Sequence, residues 1–256
     1  MRIPFQINSV NKSLLGILHI SENQQAKKTV LIMCYGLNGN RVEQHRMSVK
    51  LGEVSEKNGI NLVRFDYTDV GISEGSFENS KLSDRVRNVI DVITFVKGCF
   101  NEAIDIYLIG FSDGARIAVN SIDRMSDCKG VILWNPIVNI EGRQNVQKTK
   151  AKEENRILLD KRTHKPYKPL FGDKLGLVML RELSADKSAM LLKKGYKKLF
   201  VFGEKDAFTK EIRQYFYRHR EEYPNSDFVV IQNAGHLFSD RISENEVITE
   251  SINYVM

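Results

Sequence analysis

Short apolar runs alternate with amphipathic stretches along most of the chain. The runs at 29–34 (TVLIMC), 105–110 (DIYLIG) and 129–134 (KGVILW) are typical of strands buried on both faces of a sheet. Between them, residues 82–98 carry apolar side chains at helical spacing, and Gly98 is predicted to end that helix. This alternation predicts an α/β protein, with a mostly parallel sheet and helices on both faces.

The other predicted elements continue this alternation. The chain opens with a predicted hairpin of two strands. Further strands are predicted at INLVRFD, KKLFVFGEKD and DFVVIQNAGH, and further helices at RVEQHRMSVKLGEVSEKNG, DGARIAVNSIDRM, TKEIRQYFYRHREEY and SENEVITESINYVM.

The alternation breaks after Trp134. Residues 135–196 form a long basic stretch with no clear strand, and the strand pattern resumes at 197. We therefore predict a core formed by residues 1–134 and 197–256. Residues 135–196 are predicted to form a cap or lid, inserted between the sixth and seventh strands of the sheet.

Composition is that of a globular protein with one large domain or two small ones. The chain has 256 residues, of which 42% are hydrophobic and 27% charged. No apolar run approaches the roughly 18 residues of a membrane helix, and the first residues lack a signal-peptide core. The three cysteines, Cys34, Cys99 and Cys128, show no metal-ligand spacing, so a cytoplasmic protein without metal or cofactor is expected.

The net charge of +6 is concentrated in one segment. Residues 141–198 contain 16 Lys and Arg against seven Asp and Glu. Such a segment either forms a solvated helical surface or creates a positive electrostatic potential that attracts an anionic substrate or an acidic carrier protein. The segment has neither regular aromatic interleaving nor a recognition motif, so nucleic acid is not an expected partner.

The pentapeptide GFSDG at 110–114 joins a predicted strand to a predicted helix. A Gly-x-Ser-x-Gly turn at this place holds a serine above the sheet edge, and Gly110 and Gly114 supply the room for the sharp turn. Ser112 is therefore the predicted nucleophile. The Asp113 N–H lies at the start of the helix, where backbone donors favour an anion.

Serine needs a base, and the base needs an orienting acid. Of the five histidines, His236 follows the last predicted strand, where the ring can reach Ser112. Asp206, beyond the strand that begins at 197, is the predicted acid, and Glu204 is its nearest rival. The chain order Ser112, Asp206, His236 is the order of this architecture.

The second donor to an oxyanion is expected in the loop YGLNGN at 35–40. Gly36 permits a tight turn, so the Leu37 N–H and the Asp113 N–H are the predicted pair of donors. The Asp113 side chain has three readings: it points away from the site, it caps the helix that it begins, or it binds a substrate ammonium group. Tyr35 and Trp134 are predicted substrate contacts, although Trp134 is also explained as packing of the cap.

These segments resemble the α/β-hydrolase superfamily of serine hydrolases. The resemblance is closest to the bacterial feruloyl/cinnamoyl esterase-like branch, related to the serine aminopeptidase-type hydrolases. It covers nearly the whole chain except 135–196, and it is carried by YGLNGN, GINLVRFDYTDVGISEGSFEN, IGFSDGA, FGEKDAF and NAGHLFSD. Tyr35-Gly36 stands where the family has His-Gly, and Phe202-Gly203 replaces a second His-Gly.

The resemblance implies hydrolysis of a carboxylic ester through an acyl-enzyme. The alternative is a thioesterase or acyltransferase that acts on a carrier- or CoA-bound acyl group, because an acyl-enzyme can be opened by nucleophiles other than water. A non-enzymatic alternative is a binding or scaffold protein that kept the fold and lost the catalytic chemistry.

Overall fold

The computed structural model describes residues 1–22, 28–125, 127–140, 156–170 and 172–256. Eight strands form one sheet in the order β1-β2-β4-β3-β5-β6-β10-β11. The bounds of these strands are β1 Arg2–Ser9, β2 Lys12–His19, β3 Thr29–Cys34, β4 Asn61–Phe65, β5 Asp105–Phe111, β6 Cys128–Trp134, β10 Lys197–Gly203 and β11 Ser226–Ile231.

The sheet is mostly parallel, as predicted. The opening hairpin of β1 and β2 is antiparallel, and β2 pairs antiparallel with β4. The remaining neighbours, from β4 to β11, run parallel. Strand β3 is buried along its whole length, in agreement with its continuous apolar sequence.

Helices cover both faces of the sheet, which confirms the predicted layers. One core cluster packs beneath α2, α3 and α6, and the other packs beneath α1 and α7. These five helices have the bounds α1 Met47–Lys57, α2 Leu82–Gly98, α3 Gly114–Ile122, α6 Lys210–Arg218 and α7 Arg241–Val255.

One predicted helix end needs correction. Helix α1 begins at Met47 rather than near residue 41, because Glu43, His45 and Arg46 have positive φ angles that a right-handed helix excludes. Helix α2 ends at Gly98, as predicted, but without a left-handed residue there, since Cys99 after it is in the right-handed region.

The segment predicted as a cap contains short strands that the sequence pattern did not reveal. The strands β7 Leu158–Leu159, β8 Pro166–Leu170 and β9 Asp173–Gly176 form a separate antiparallel sheet, followed by α4 Leu177–Ala185 and α5 Ser188–Leu191. These strands are two to five residues long and mostly half-exposed, so they show no alternation of apolar and polar positions.

Part of this segment, including 141–155 of the basic stretch, lies outside the described residues. The division into core and cap stays a prediction. Among the helices that the structure describes, none has both the length and the apolar character needed to cross a membrane.

Candidate active site

The predicted site residues follow the carboxyl ends of neighbouring parallel strands. Leu37 follows β3, Ser112 follows β5, Asp206 follows β10 and His236 follows β11. Carboxyl ends of parallel strands share one edge of a sheet, which is where ligands bind in open α/β folds. The structure brings all four residues to this edge.

The turn at Ser112 is tight and strained. Ser112 has a φ of 55°, a left-handed conformation that is rare for residues other than glycine. A Cβ atom at Gly114 would lie 2.1 Å from the Cys34 carbonyl oxygen, and one at Gly110 would lie 2.6 Å from the Ala115 Cα. Both glycines are therefore required by close backbone approach, as the sequence predicts.

Three side chains form one hydrogen-bonded chain at this turn. The His236 Nε2 lies 3.0 Å from the Ser112 Oγ, and the His236 Nδ1 lies 2.7 Å from the Asp206 Oδ2. With the Nδ1 proton held by the carboxylate, Nε2 is free to accept the serine proton. This geometry is that of a nucleophile, a base and an orienting acid.

The Asp206 carboxylate is buried and fully engaged. Oδ1 accepts the Phe208 N–H at 2.8 Å, and Oδ2 accepts the Thr209 hydroxyl at 2.6 Å as well as His236. Burial alone would raise the Asp206 pKa, but the hydrogen bond from His236 and those from Thr209 and Phe208 outweigh it and hold the pKa below its usual value. The rival Glu204 accepts the Asn233 N–H instead, at 2.9 Å.

A buried arginine holds the loop that carries Leu37. The Arg85 Nη1 donates to the Leu37 carbonyl oxygen at 2.8 Å, and its Nε donates to the Ser80 hydroxyl. A Cβ atom at Gly36 would lie 3.8 Å from the Ser112 Oγ, so the loop passes directly beside the serine. Leu37 and Asp113 both line the pocket in front of Ser112. Their N–H groups stay the predicted oxyanion donors.

The Asp113 side chain has a partner within the chain. Its Oδ1 lies 3.1 Å from the Nε of Arg116, which also binds the carbonyl oxygens of Ile137 and Leu183. Burial raises the Asp113 pKa, and Arg116 opposes that effect. An aspartate that is already paired with a guanidinium is a weaker acceptor for a substrate ammonium. The structure therefore argues against the reading in which Asp113 binds a substrate ammonium group.

Tyr35 and Trp134 are core residues, which corrects their prediction as substrate contacts. Both side chains are fully buried. The Tyr35 hydroxyl accepts the Tyr67 N–H at 2.7 Å, and the Trp134 Nε1 donates to the Ser251 hydroxyl at 2.8 Å. In this structure neither side chain reaches the pocket, because each turns from the strand end into a core cluster.

The serine and the histidine open into a pocket of about 360 Å³. Six of its lining side chains are apolar, and the segment 135–196 contributes Ile137 and Leu170 to its wall. Such a pocket suits a small molecule held by a few polar groups. In the described part of the chain, no three His, Cys, Asp or Glu side chains are grouped as metal ligands.

Asn135 was missed in the sequence. It follows β6, has a φ of 40°, and donates from Nδ2 to the His236 carbonyl oxygen at 2.9 Å. Its Oδ1 accepts the Gly203 N–H at 2.7 Å, so it joins the histidine loop to the end of β10. The sequence signal that could have identified Asn135 is its place directly after a predicted central strand.

Glu43 was also missed. It is buried and lines the same pocket as Ser112 and His236. Its position within a stretch that was predicted to be helical concealed it.

Solved structures share this fold over nearly their whole length. Est1E from Butyrivibrio proteoclasticus, with ferulic acid bound, is 21% identical, covers 98% of this chain and 97% of its own, and has a TM-score of 0.76. An esterase domain from Rhodothermus marinus is 14% identical, with 100% and 98% covered and a TM-score of 0.72. An alpha-beta serine hydrolase homologue from Coxiella burnetii is 18% identical, with 99% and 97% covered and a TM-score of 0.66.

No protein-family model matches the sequence, and a search of curated proteins finds no significant match. The likeness is therefore one of three-dimensional structure. The chain has the α/β-hydrolase fold.

Proposed function

We propose that this protein is a serine hydrolase that cleaves a carboxylic ester through an acyl-enzyme. The observation that carries the proposal is the hydrogen-bonded chain from Ser112 through His236 to Asp206, which opens into a pocket. A serine without a base is a poor nucleophile, and this arrangement supplies both the base and the acid that orients it.

Acylation begins when the Ser112 Oγ attacks the ester carbonyl carbon. The new C–O bond forms as the carbonyl π electrons move to oxygen, and the serine proton passes to the His236 Nε2. The Leu37 and Asp113 N–H groups would stabilise the resulting oxyanion. Each such donor is worth roughly 100- to 1000-fold in rate.

Collapse of the tetrahedral intermediate breaks the bond to the alcohol oxygen. His236 gives its proton to that oxygen, and the alcohol leaves. Water then attacks the acyl carbon and gives a proton to His236. The bond to the Ser112 Oγ breaks, His236 returns the proton to Oγ, and the carboxylic acid leaves as product. Asp206 remains ionised throughout and stabilises the imidazolium that forms in both halves.

Two considerations favour an ester over the alternatives. A structural neighbour is an esterase domain, which supports ester hydrolysis on this fold. The carrier-protein alternative rests on the basic segment, of which 141–155 lies outside the described residues. The thioesterase or acyltransferase reading therefore stays the second candidate.

A fluorophosphonate probe tests the proposal directly, because it labels an activated serine and ignores an inert one. We expect stoichiometric labelling at Ser112, with none in Ser112→Ala. The matched control is Ser121→Ala, since Ser121 is a buried serine in α3 whose hydroxyl has no partner in the described residues.

A panel of esters, thioesters and amides with varied acyl chains then separates the candidates. Turnover of esters above thioesters supports the proposal. A protein that folds but is neither labelled nor active on any of these substrates would show that it is not a serine hydrolase.

A further inference from the structure

One polar group in the pocket has no role in the proposed mechanism. Glu43 lines the pocket together with Ser112 and His236, and only 9% of its surface is exposed. Its Oε1 is buried and has no hydrogen-bond partner among the described residues. Because a buried carboxyl without a full set of hydrogen bonds is costly, a ligand that donates to the pocket side of the Glu43 carboxyl stabilises it.

The backbone around Glu43 is held in an unusual conformation. Glu43 has a φ of 60°, which is uncommon for a residue with a long side chain. Its N–H donates to the Asn40 carbonyl oxygen at 3.0 Å, and its own carbonyl accepts the Arg46 N–H at 3.3 Å. Strain of this kind gathers at ligand-binding positions. The turn thus fixes the carboxyl at the pocket wall.

The absence of a side chain at Gly39 leaves the space that the Glu43 carboxyl occupies. A Cβ atom at Gly39 would lie 2.3 Å from the Glu43 Oε1. The carboxyl is therefore packed against the same loop that carries Leu37, and Gly36 of that loop borders Ser112. Glu43 and Ser112 therefore border the same loop and line the same pocket.

The rest of the pocket offers Glu43 no cation. Its described lining includes no Lys or Arg, and the other acid in it, Asp113, is paired with Arg116. The remaining walls are largely apolar, formed by Leu37, Phe111, Ile137, Leu170, Phe208 and Leu237. A substrate that fills this pocket meets the Glu43 carboxyl beside these six apolar side chains and the polar Asn38 and Gln44.

Burial raises the Glu43 pKa to about 7, against the opposing effect of the Gln44 and Gly36 N–H groups. Near neutral pH the carboxyl is therefore present in both forms. The ionised form accepts from either a hydroxyl or an ammonium group, and a bound donor favours that form.

We propose that Glu43 is a specificity-determining residue, and that the substrate is an ester whose acyl or alcohol chain carries a hydrogen-bond donor, a hydroxyl or an ammonium group, placed to meet it. This inference rests on the proposed ester hydrolysis. The donor is a feature of the substrate that the apolar side chains of the pocket cannot discriminate. Sites that hydrogen-bond a polar substrate group reject analogues without that group, since their own buried group is then left unpaired.

Isosteric esters in competition test this proposal. One reaction contains methyl butanoate, methyl 3-hydroxypropanoate and methyl 3-aminopropanoate, and a second contains propyl acetate and 2-hydroxyethyl acetate. The ratio of products gives the ratio of kcat/KM values without knowledge of the active enzyme concentration. We expect at least a tenfold preference for a donor-bearing ester over its apolar isostere in one set. A preference below twofold in both sets overturns the proposal.

Variants of Glu43 distinguish the two kinds of donor. Glu43→Met removes the acceptor and should abolish any preference. Glu43→Gln keeps a carbonyl acceptor without the charge, so it should retain a preference for the hydroxyl ester and lose one for the ammonium ester. The control Glu246→Gln removes an exposed acid from α7 and should leave the ratios unchanged. If Asp113→Asn, and not Glu43→Met, removes the preference, the assignment to Glu43 is wrong.

A binding measurement separates this inference from the proposed reaction. Ser112→Ala should bind the preferred ester at least tenfold more tightly than its isostere, as measured by calorimetry, and Ser112→Ala/Glu43→Met should bind the two equally. Selective binding by a wild-type protein that hydrolyses no ester would refute the reaction and leave the Glu43 assignment standing. Ester hydrolysis with equal binding of both ligands would refute the Glu43 assignment alone.

Discussion

The Asp206 Oδ2 lies 2.7 Å from the His236 Nδ1, on the side of the ring away from Ser112. The two residues are separated by 30 positions, and each follows a different strand. Their contact fixes which ring nitrogen carries the proton. Two predictions about activity and two about stability follow from this contact and those around it.

Asp206→Asn should lower kcat by roughly 10³- to 10⁴-fold, because an amide at this place no longer holds the productive tautomer of His236. Glu204→Gln is the matched control, since Glu204 lies two positions away and binds the Asn233 N–H. It should change kcat by less than about threefold. Steady-state kinetics on an activated ester measures both. Equal losses in the two variants would contradict the assignment of the acid.

Asn135→Gly should lower kcat by about tenfold, with a smaller change in KM. Glycine keeps the left-handed backbone of Asn135, whereas the bonds to the His236 carbonyl and the Gly203 N–H are lost. We regard Asn135 as a positioning residue for His236. Asn225→Gly, with a φ of 54° at the start of β11, provides the control and should leave kcat unchanged. An effect on KM alone would point to a different role.

Gly114→Ala should destabilise the fold by about 3 kcal/mol or more, because its Cβ atom would press on the Cys34 carbonyl oxygen. Gly98→Ala places the same methyl group at the exposed end of α2, where nothing lies within 4 Å. That variant should be as stable as the wild type, or more stable by up to about 1 kcal/mol. Urea denaturation of both variants checks the pair, and similar stabilities would mean that the turn is looser than described.

Glu43→Gln should remove part of the pH dependence of stability. The folded pKa of Glu43 is raised from 4.5 to about 7, so the stability that Glu43 contributes is lost as pH rises between these values and changes no further above them. At about 1.4 kcal/mol for each unit, the loss is roughly 3 kcal/mol. Urea denaturation at pH 5 and pH 8 should therefore show a smaller decline for Glu43→Gln. Parallel declines would indicate that Glu43 ionises freely in the folded protein.

Much of this site could be predicted because its members directly follow strands. Ser112, Asp206 and His236 each stand a few residues after an apolar run, and the common edge of a parallel sheet brings such positions together. Tyr35 shows the limit of that reasoning. It also follows a strand, but its side chain turns into the core toward Tyr67, and strand ends alone do not determine side-chain direction.

Glu43 and Asn135 could not be identified by periodicity, because both depend on positive φ angles. Positive φ at residues other than glycine is decided by contacts made elsewhere in the fold, such as those of Asn135 with β10 and the histidine loop. The short strands β7 to β9 were missed for a related reason. They pair with one another and bury little, so their residues carry no alternating pattern.

Arg116 extends from α3, the helix after Ser112, to the carbonyl oxygens of Ile137 and Leu183, which both lie within the segment 135–196. Replacing residues 135–196 with the corresponding segment of another hydrolase, as a route to new selectivity, would therefore disturb the support of Asp113 unless equivalent acceptors were grafted with it. A chimaera that lacks acceptors for Arg116 should lose turnover on every ester, rather than exchange one substrate preference for another.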